Sequence, residues 1–410
     1  MADKLSSILE AYVAKGEDTK DKLLGAAFIV VNKDGVLYQG SAGRIDLPTS
    51  SPAFDENSFT RVASMTKIIA ATSVMQIVER GLIGLDDDVR SLVPELAGMQ
   101  ILQGFEDTEE KPILVDNDRP ITLGGLLTHT VGLAYDLGDA DLQRWSTAIG
   151  RTTNTLTCTR EGWTTPLKFA PGDGWYYGTS NDWAGLVLQA VTGQTLGEYM
   201  KENIFEKLGM RDTAFRSKEL EEKVTRRKVE LSYRGEGGAL SVGPVPIVLE
   251  PPVDSGGAGL WMTAADHIKV VQGLVKAITG DEGGLLKKET ADELFRPQLN
   301  ENQRTHLKNM VIATGMAQDF NPDTPADWGL GGAINLEDLP DRRKKGSMMW
   351  GGMCNANWVS SGSFCPPPWI DPKTGIGATF FASVLPFPDP VVKKLYRELE
   401  AAVYELLLSQ

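Results

Sequence analysis

Histidine is scarce in this 410-residue chain, which contains three. His129, His267 and His306 lie far apart, and none stands at metal-ligand spacing from another histidine or from a cysteine. The pattern therefore predicts no zinc site, and nothing in the sequence implies another metal or a cofactor.

Cysteine is equally scarce. Cys158, Cys354 and Cys365 cannot build the disulfide framework of a small secreted domain. A bond between Cys354 and Cys365 across a hairpin is the alternative to free buried thiols. The first residues also lack the apolar core of a secretory signal, and no uncharged apolar run reaches transmembrane length. We therefore expect a cytoplasmic protein with no membrane partner.

Positive charge is in deficit. The chain has 41 basic and 55 acidic residues and a net charge of −14, whereas phosphate binding needs a basic face. This charge disfavours both a nucleic-acid partner and an anionic membrane surface, so we expect neither. The composition is otherwise globular, with 41% hydrophobic and 23% charged residues.

Helix-like and strand-like segments alternate in blocks along the chain. Residues 3–15 have helical periodicity, and a β-hairpin signal follows around Asp34 and Gly35. The segment MTKIIAATSVMQIVERG predicts a long helix that ends at Gly81, and several short helices come after it. Strand-like runs return from about residue 225, and the C-terminal segment is an amphipathic helix.

This order predicts an α+β fold built from both ends of the chain. Residues 1–60 and 225–410 would form a lobe with an antiparallel sheet, flanked by the N- and C-terminal helices. Residues 61–224 would form an inserted, mainly helical lobe. Because small-molecule sites favour such boundaries, we expect the active site at the junction of the two lobes.

The segment RVASMTKIIAAT places Ser64 and Lys67 three residues apart, and hence on one face of a helix. A serine hydroxyl is a weak nucleophile unless a base takes its proton, and a lysine can do so where burial lowers its pKa. A single S-x-x-K match is expected about once by chance in a chain of this length. The alternative is a helix-capping serine beside a surface lysine.

A tyrosine in WYYGTSNDWAG is the first companion of this pair. Tyr177 precedes Gly178 just before a predicted helix, so its phenol could lie beside Ser64 and share its proton with Lys67. It would then act as acid or base toward the leaving group. Tyr176 is expected to pack in the core.

Two segments compete for a third motif. Lys373-Thr374-Gly375 has the chemistry of a solvent-exposed hairpin turn, so we interpret it as a decoy. In the segment GSMMWGGMCN, Gly351 and Gly352 after Trp350 would let the backbone approach a ligand closely. The Met353 amide could then stabilise an oxyanion together with the Ser64 amide.

The combination of SMTK, YGTSN and WGG resembles the serine β-lactamase and penicillin-binding-protein superfamily. Tyrosine in the second motif and W-G-G in the third are similar to its esterase branch, the family VIII carboxylesterases. Within that branch the likeness is greatest to the fungal lovastatin-pathway acyltransferases, through ERGLIGLDDDV, ITLGGLLTHTVGLAY and GLGGAINLEDL among other segments. The resemblance spans nearly the whole chain.

The resemblance implies that Ser64 is acylated, that Lys67 is its base and that Tyr177 is the partner acid or base. It implies a serine acyltransferase or esterase with a β-lactamase/transpeptidase-like fold, working in secondary metabolism on a hydrophobic ester or thioester, with an alcohol or water as acceptor. An acyl-carrier or coenzyme A thioester is a further candidate donor. Tyr135 matches a tyrosine of the pocket, and Arg61 would shape the local field.

The chain departs from this pattern at two places near the expected substrate. Phe387 stands where the family acyltransferase has a tryptophan, and residues 359–369 look like an insertion. Both leave the substrate open. A carboxylesterase, a β-lactamase-like hydrolase and a catalytically silent ligand-binding relative remain alternatives. No G-x-S-x-G occurs, which argues against an α/β-hydrolase.

Overall fold

The computed structural model describes residues 2–106, 111–244, 248, 250–314, 324–353, 364–365, 369–386 and 388–408. Cys354 and Phe387 lie outside these residues, as does most of the segment predicted to be an insertion. Among the residues described, no helix is both long and apolar enough to cross a membrane.

Helices dominate the middle of the chain and close both of its ends. In chain order the α-helices are α1 (Ala2–Tyr12), α2 (Thr66–Glu79), α3 (Pro94–Ala97), α4 (Leu123–Leu127), α5 (Ala140–Ala148), α6 (Arg160–Trp163), α7 (Ser180–Thr192), α8 (Leu196–Met200), α9 (Glu206–Leu208), α10 (Glu222–Thr225), α11 (Ala264–Thr279), α12 (Lys288–Leu294), α13 (Glu301–Thr314) and α14 (Pro390–Leu408). A π-helical turn, Lys201–Phe205, joins α8 to α9. Short 3₁₀ turns cover Ala63–Met65, Val89–Ser91, Asp136–Gly138, Thr155–Thr157 and Ser217–Glu219.

Strands occur mainly near the two ends of the sequence. They are β1 (Gly25–Asn32), β2 (Val36–Gly43), β3 (Phe59–Arg61), β4 (Gln100–Phe105), β5 (Pro112–Asp116), β6 (Ser232–Arg234), β7 (Leu240–Val242), β8 (Trp261–Thr263), β9 (Ala326–Trp328), β10 (Ala333–Asn335), β11 (Met348–Met349), β12 (Gly352–Met353), β13 (Phe364–Cys365), β14 (Trp369–Asp371), β15 (Ile376–Ala382) and β16 (Val384–Leu385).

A seven-stranded sheet is the framework of the molecule. Its strand order is β2-β1-β15-β14-β11-β10-β9, and every neighbouring pair is antiparallel. The predicted N-terminal hairpin forms β1 and β2, and the Asn32 carboxamide oxygen accepts from the Asp34 and Gly35 amides in the turn. The α+β prediction with an antiparallel sheet is therefore confirmed.

Helices cover both faces of the sheet. Helices α1 and α14 pack together on one face, through residues such as Leu5, Leu9 and Leu399. Helix α11 packs on the other face against β1 and β15, through residues such as Val271. Because β1 is covered on both sides, its sequence is a continuous apolar run rather than an alternating one.

The segment between β3 and β6 is mainly helical, and its core forms around α2, α4, α7 and α8. The predicted division at residues 61 and 225 stays a prediction. The sequence analysis missed the β4–β5 hairpin inside this segment. Strand β6 pairs with both β7 and β16 in a small separate sheet. Strands β3 and β8 form a further pair that leads directly into the segment containing Ser64.

The turn between β14 and β15 contains Lys373, Thr374 and Gly375. This turn begins after Asp371, the last residue of β14. Trp350 lies near the other end of β14, because the preceding residue, Met349, pairs with Trp369. The Lys373 side chain is exposed, and its ammonium lies 3.4 Å from the Asp338 carboxylate. The predicted exposed turn is confirmed, and it lies at the opposite end of the strand from W-G-G.

His267 ties helix α11 to the sheet. Its Nδ1 lies 2.9 Å from the Thr379 hydroxyl in β15, and burial lowers the pKa of His267 from 6.5 to about 3. Between about pH 3 and pH 6.5, His267 is therefore protonated in the unfolded chain and neutral in the folded chain. The contribution of neutral His267 to the free energy of unfolding is therefore complete above about pH 6.5. It is lost progressively as the pH falls below that value.

We expect His267→Asn to weaken the dependence of stability on pH. Well below pH 6.5, this histidine contributes a slope of about 1.4 kcal/mol in the free energy of unfolding per pH unit. Asparagine preserves a partner for Thr379 but does not titrate. Urea unfolding of both proteins between about pH 5 and pH 8 measures the two slopes, and equal slopes would contradict the assignment.

Candidate active site

Ser64 lies in the 3₁₀ turn immediately before α2 and is 5% exposed. The preceding Ala63 has a φ of 45°, a left-handed conformation that residues other than glycine rarely adopt. Helix α2 is buried on nearly all sides, so it holds this turn rigidly. The Ser64 amide belongs to the first helical turn, where N–H groups have no partner within the helix.

Lys67 is 1% exposed, and its side chain ends in a polar cage. Its Nζ lies 3.2 Å from the Ser64 hydroxyl, 3.0 Å from the Tyr135 phenol oxygen and 2.7 Å from the Gly257 carbonyl oxygen. The predicted contact between Ser64 and Lys67 is therefore present in the structure.

Tyr135 was predicted to line the substrate pocket, and in the structure its phenol lies among the reacting groups themselves. It precedes the 3₁₀ turn Asp136–Gly138, and its phenol contacts both Lys67 and Ser64. Burial, with smaller contributions from neighbouring groups, raises the pKa of Tyr135 well above its usual range, while the hydrogen bond with Ser64 acts in the opposite direction. Tyr135 therefore keeps its proton at neutral pH.

Tyr177 is buried just before α7. The sequence analysis expected its phenol to share a proton with Lys67, but in the structure the phenol bonds Trp350 instead. Its oxygen accepts a hydrogen bond of 2.6 Å from the Trp350 indole, and the Lys67 ammonium lies 4.6 Å from the centre of its ring. A phenol that accepts from an indole keeps its own proton available for donation. Tyr176 instead donates to Asp139, and burial raises the pKa of its phenol.

His129 packs against the ring of Tyr177. Its ring centre lies 4.9 Å from that of Tyr177, and its Nδ1 accepts from the Gly178 amide at 3.4 Å. Burial, followed by the charge of Lys67, lowers the pKa of His129 well below its usual range. A neutral histidine in this position fits a structural role.

The W-G-G segment lies directly against the turn that contains Ser64. A Cβ on Gly352 would lie 2.1 Å from the Val62 carbonyl oxygen, so no other residue fits there without a shift of the backbone. Gly352 and Met353 form β12, which pairs with β13. The backbone of the third motif therefore passes beside the serine.

A small apolar cavity of about 20 Å³ adjoins Ser64 and Trp350. That is room for roughly one water-sized group. Its remaining wall comes from α2, α11 and the strands around β11, through Met65, Ile68, Val270, Val271, Leu274, Gly331, Met348, Met349 and Ile370. A group attached to Ser64 would thus find apolar surface on this side.

Asp182 is a buried carboxylate near this site that the sequence analysis missed. It lies in the first turn of α7 and accepts from the Ser255 hydroxyl at 2.5 Å and from the Gly257 amide at 3.0 Å. Burial raises the pKa of Asp182, and the charge of Lys67 opposes that effect. An acidic residue in the first turn of a predicted helix is common, so the sequence carried no distinctive signal.

The family model named Beta-lactamase matches residues 6–403 of the chain. The chain belongs to the β-lactamase family. This β-lactamase family member is 33% identical to the lovastatin esterase of Penicillium rubens over 353 residues, which cover 84% of each chain. It is 31% identical to the monacolin J acid methylbutanoyltransferase of Aspergillus terreus over 359 residues, 86% of this chain and 83% of the relative.

Solved structures agree with this family assignment. The simvastatin synthase LovD from Aspergillus terreus, in its LovD6 mutant, superposes with a TM-score of 0.86 at 28% identity, covering 99% of this chain and 95% of that one. The relatives are named as esterases and acyltransferases, acting on small-molecule acyl donors and acceptors. The predicted fold and reaction class are confirmed: the chain is a serine esterase or acyltransferase.

Arg61 and Phe387 were the other two residues predicted for the pocket of this family member. Arg61, at the end of β3, donates to the Val248 carbonyl at 2.7 Å and to the Ala258 carbonyl at 3.2 Å, and it also contacts the buried thiol of Cys158. It therefore fixes the loop that carries Gly257, and its predicted place in the pocket stays a prediction. Phe387 lies outside the described residues.

The remaining expectations concern metals and cysteines. Within the described ranges, no group of three or more histidine, cysteine, aspartate or glutamate side chains could hold a metal ion. Cys158 is a free, buried thiol. Cys354 lies outside the described residues, so its pairing with Cys365 stays an open alternative.

Proposed function

We propose that this enzyme transfers a short apolar acyl group from a hydrophobic ester or thioester to an alcohol or to water, through an acyl-enzyme on Ser64. The observation that carries the proposal is the buried contact of Lys67 with the Ser64 hydroxyl and the Tyr135 phenol. A lysine in its neutral form can accept the serine proton there, which makes the oxygen nucleophilic.

Acylation proceeds in two steps. The Ser64 oxygen forms a bond to the donor carbonyl carbon while its proton moves to Lys67. The carbonyl oxygen becomes an oxyanion, and the amides of Ser64 and Met353 are our candidates for stabilising it. The position of Gly352 against Val62 supports this role for the W-G-G backbone.

The leaving group then departs. The bond between the carbonyl carbon and the leaving oxygen or sulfur breaks, and Tyr177 donates its proton to that atom. The proton on Lys67 returns to the Tyr177 oxygen. An alcohol or water repeats the sequence in reverse and releases the acyl group from Ser64. The Lys67 ammonium lies 4.6 Å from the centre of the Tyr177 ring, so the two residues are direct neighbours in the site.

The surroundings of Ser64 favour an apolar acyl group. The cavity beside it is narrow, and its wall is apolar apart from Ser64. The relatives named after lovastatin and monacolin J support a bulky hydrophobic alcohol as acceptor, in fungal secondary metabolism. We also propose a cytoplasmic enzyme that accepts acyl-carrier or coenzyme A thioesters.

Intact-protein mass spectrometry tests the proposal. The enzyme is mixed with p-nitrophenyl butyrate or butyryl-pantetheine, either alone or with menthol as a bulky alcohol and methanol as a small one. We expect one butyryl adduct that clears faster with menthol than with methanol. An adduct that clears equally fast in water alone would indicate an esterase. No adduct and no turnover with either donor would contradict the proposal.

A further inference from the structure

Asp182 connects helix α7 to the loop that follows residue 254. Its carboxylate accepts from the Ser255 hydroxyl and the Gly257 amide, and Ser255 in turn accepts from the Ala258 amide at 3.1 Å. The side chain is 2% exposed, so these hydrogen bonds form in a region of low dielectric, where they are strong.

The loop is packed so closely on α7 that its two glycines cannot be replaced without a shift. A Cβ on Gly256 would lie 2.5 Å from the Asn181 carbonyl oxygen, and one on Gly257 would lie 2.5 Å from the Asp182 carboxylate. The position of the Gly257 backbone is therefore set by Asp182.

The Gly257 carbonyl oxygen makes the shortest of the hydrogen bonds to Lys67, at 2.7 Å. A chain of contacts thus leads from the Asp182 carboxylate through the Gly257 peptide to the Lys67 ammonium. Since Lys67 must point at Ser64 to accept its proton, the direction of its side chain depends on this carbonyl.

We propose that Asp182 is a positioning residue of this enzyme, which aims Lys67 through Gly257 and provides the negative charge that Lys67 faces. The inference rests on the proposed function, because it assigns Lys67 the role of base. Asp182 does not touch the reacting atoms, so we expect it to act on the reaction through the lysine.

Several ionisable groups face Asp182 from the elements packed around it. Lys67 faces it from α2, Tyr135 from the segment before the 3₁₀ turn Asp136–Gly138, and Cys158 from the end of the turn Thr155–Thr157. Arg61 lies beyond Cys158. Among these groups, Lys67 is the one whose change of protonation the reaction requires in the proposed mechanism.

Asp182→Asn separates charge from geometry, since asparagine can still accept the two hydrogen bonds. The carboxylate favours the charged ammonium of Lys67, so its removal should let Lys67 act as base at lower pH. We expect the acidic limb of the kcat/KM profile to move down by about one pH unit. The rate on the plateau should change by less than about tenfold.

Ser255→Ala provides the complementary variant, because it removes the hydrogen bond to Asp182, together with the one from the Ala258 amide, and keeps the charge. We expect its acidic limb to stay in place and its kcat to fall by up to about tenfold, with little change in KM. Asp266→Asn is the matched control. Asp266 is a buried carboxylate that accepts from the Asp212 amide and the Thr213 hydroxyl, and its variant should retain the wild-type profile.

The measurement is the pH dependence of acylation by p-nitrophenyl butyrate, together with the melting temperature of each variant. An Asp182→Asn profile that coincides with wild type would overturn the role of the charge. If that variant does not fold, a shifted limb in Ser255→Ala would overturn the proposal. Wild-type enzyme that is not acylated at any pH would instead mean that the proposed function has failed.

Discussion

Ser64→Ala should reduce kcat by roughly 10⁵- to 10⁶-fold, because removing the nucleophile of a serine hydrolase has an effect of that size. No acyl adduct should form, since alanine has no oxygen to carry it. Lys67 would keep its contacts with Tyr135 and Gly257, so we expect the fold to survive. Turnover of p-nitrophenyl butyrate, intact mass and thermal unfolding check the three parts of this prediction.

Ser73→Ala is a matched control on the same helix. Ser73 is buried as Ser64 is, and its hydroxyl donates to the Ile69 carbonyl at 2.9 Å. Its loss removes a buried serine hydroxyl from α2 without touching Lys67, so we expect nearly full activity. Activity or an adduct that persists in Ser64→Ala would show that another residue is acylated. An equal loss in both variants would point to damage in α2.

Sequence and structure agree most closely where geometry is local. The spacing of Ser64 and Lys67 fixes their contact, because three residues in a helical turn return to the same face. Ser64 lies in the 3₁₀ turn just before α2, yet the contact is kept. The two glycines after Trp350 likewise indicated a close backbone approach, and the second of them, Gly352, packs against Val62.

The partners of Lys67 show where such reasoning stops. Tyr135 is 68 residues away along the chain, and Gly257 contributes a carbonyl group that every residue type possesses. Neither periodicity nor side-chain chemistry encodes these contacts, which arise from tertiary packing. Trp350 was predicted as part of the third motif, but the hydrogen bond from its indole to Tyr177 was not, because that contact also arises from tertiary packing.

The β4–β5 hairpin was missed for a physical reason as well. Its strands are only partly buried, with a register shift between Leu102 and Gly104, so apolar alternation is weak. By contrast, β1 and β15 are buried over nearly their whole lengths and gave strong apolar signals. The parts of the fold that bury most apolar surface were therefore the parts that could be predicted.

Tyr177→Phe should slow the cleavage of esters with poor leaving groups by about 10²- to 10⁴-fold, the usual contribution of a general acid. An alkoxide leaves only if it is protonated, and the Tyr177 proton is available because its oxygen accepts from Trp350. A p-nitrophenolate leaves without a proton, so its release should slow far less. The measurement compares kcat/KM for ethyl butyrate and p-nitrophenyl butyrate.

Tyr135→Phe separates the two phenols. Tyr135 contacts Lys67 and Ser64, so it acts when the serine proton is taken, before the leaving group matters. We expect its loss to slow both esters by similar factors. Tyr176→Phe is the matched control, because that phenol bonds Asp139 instead of the groups around Lys67. If Tyr177→Phe slowed both esters equally, Tyr177 would serve in activating Ser64, and the proton for the leaving group would have to come from Lys67.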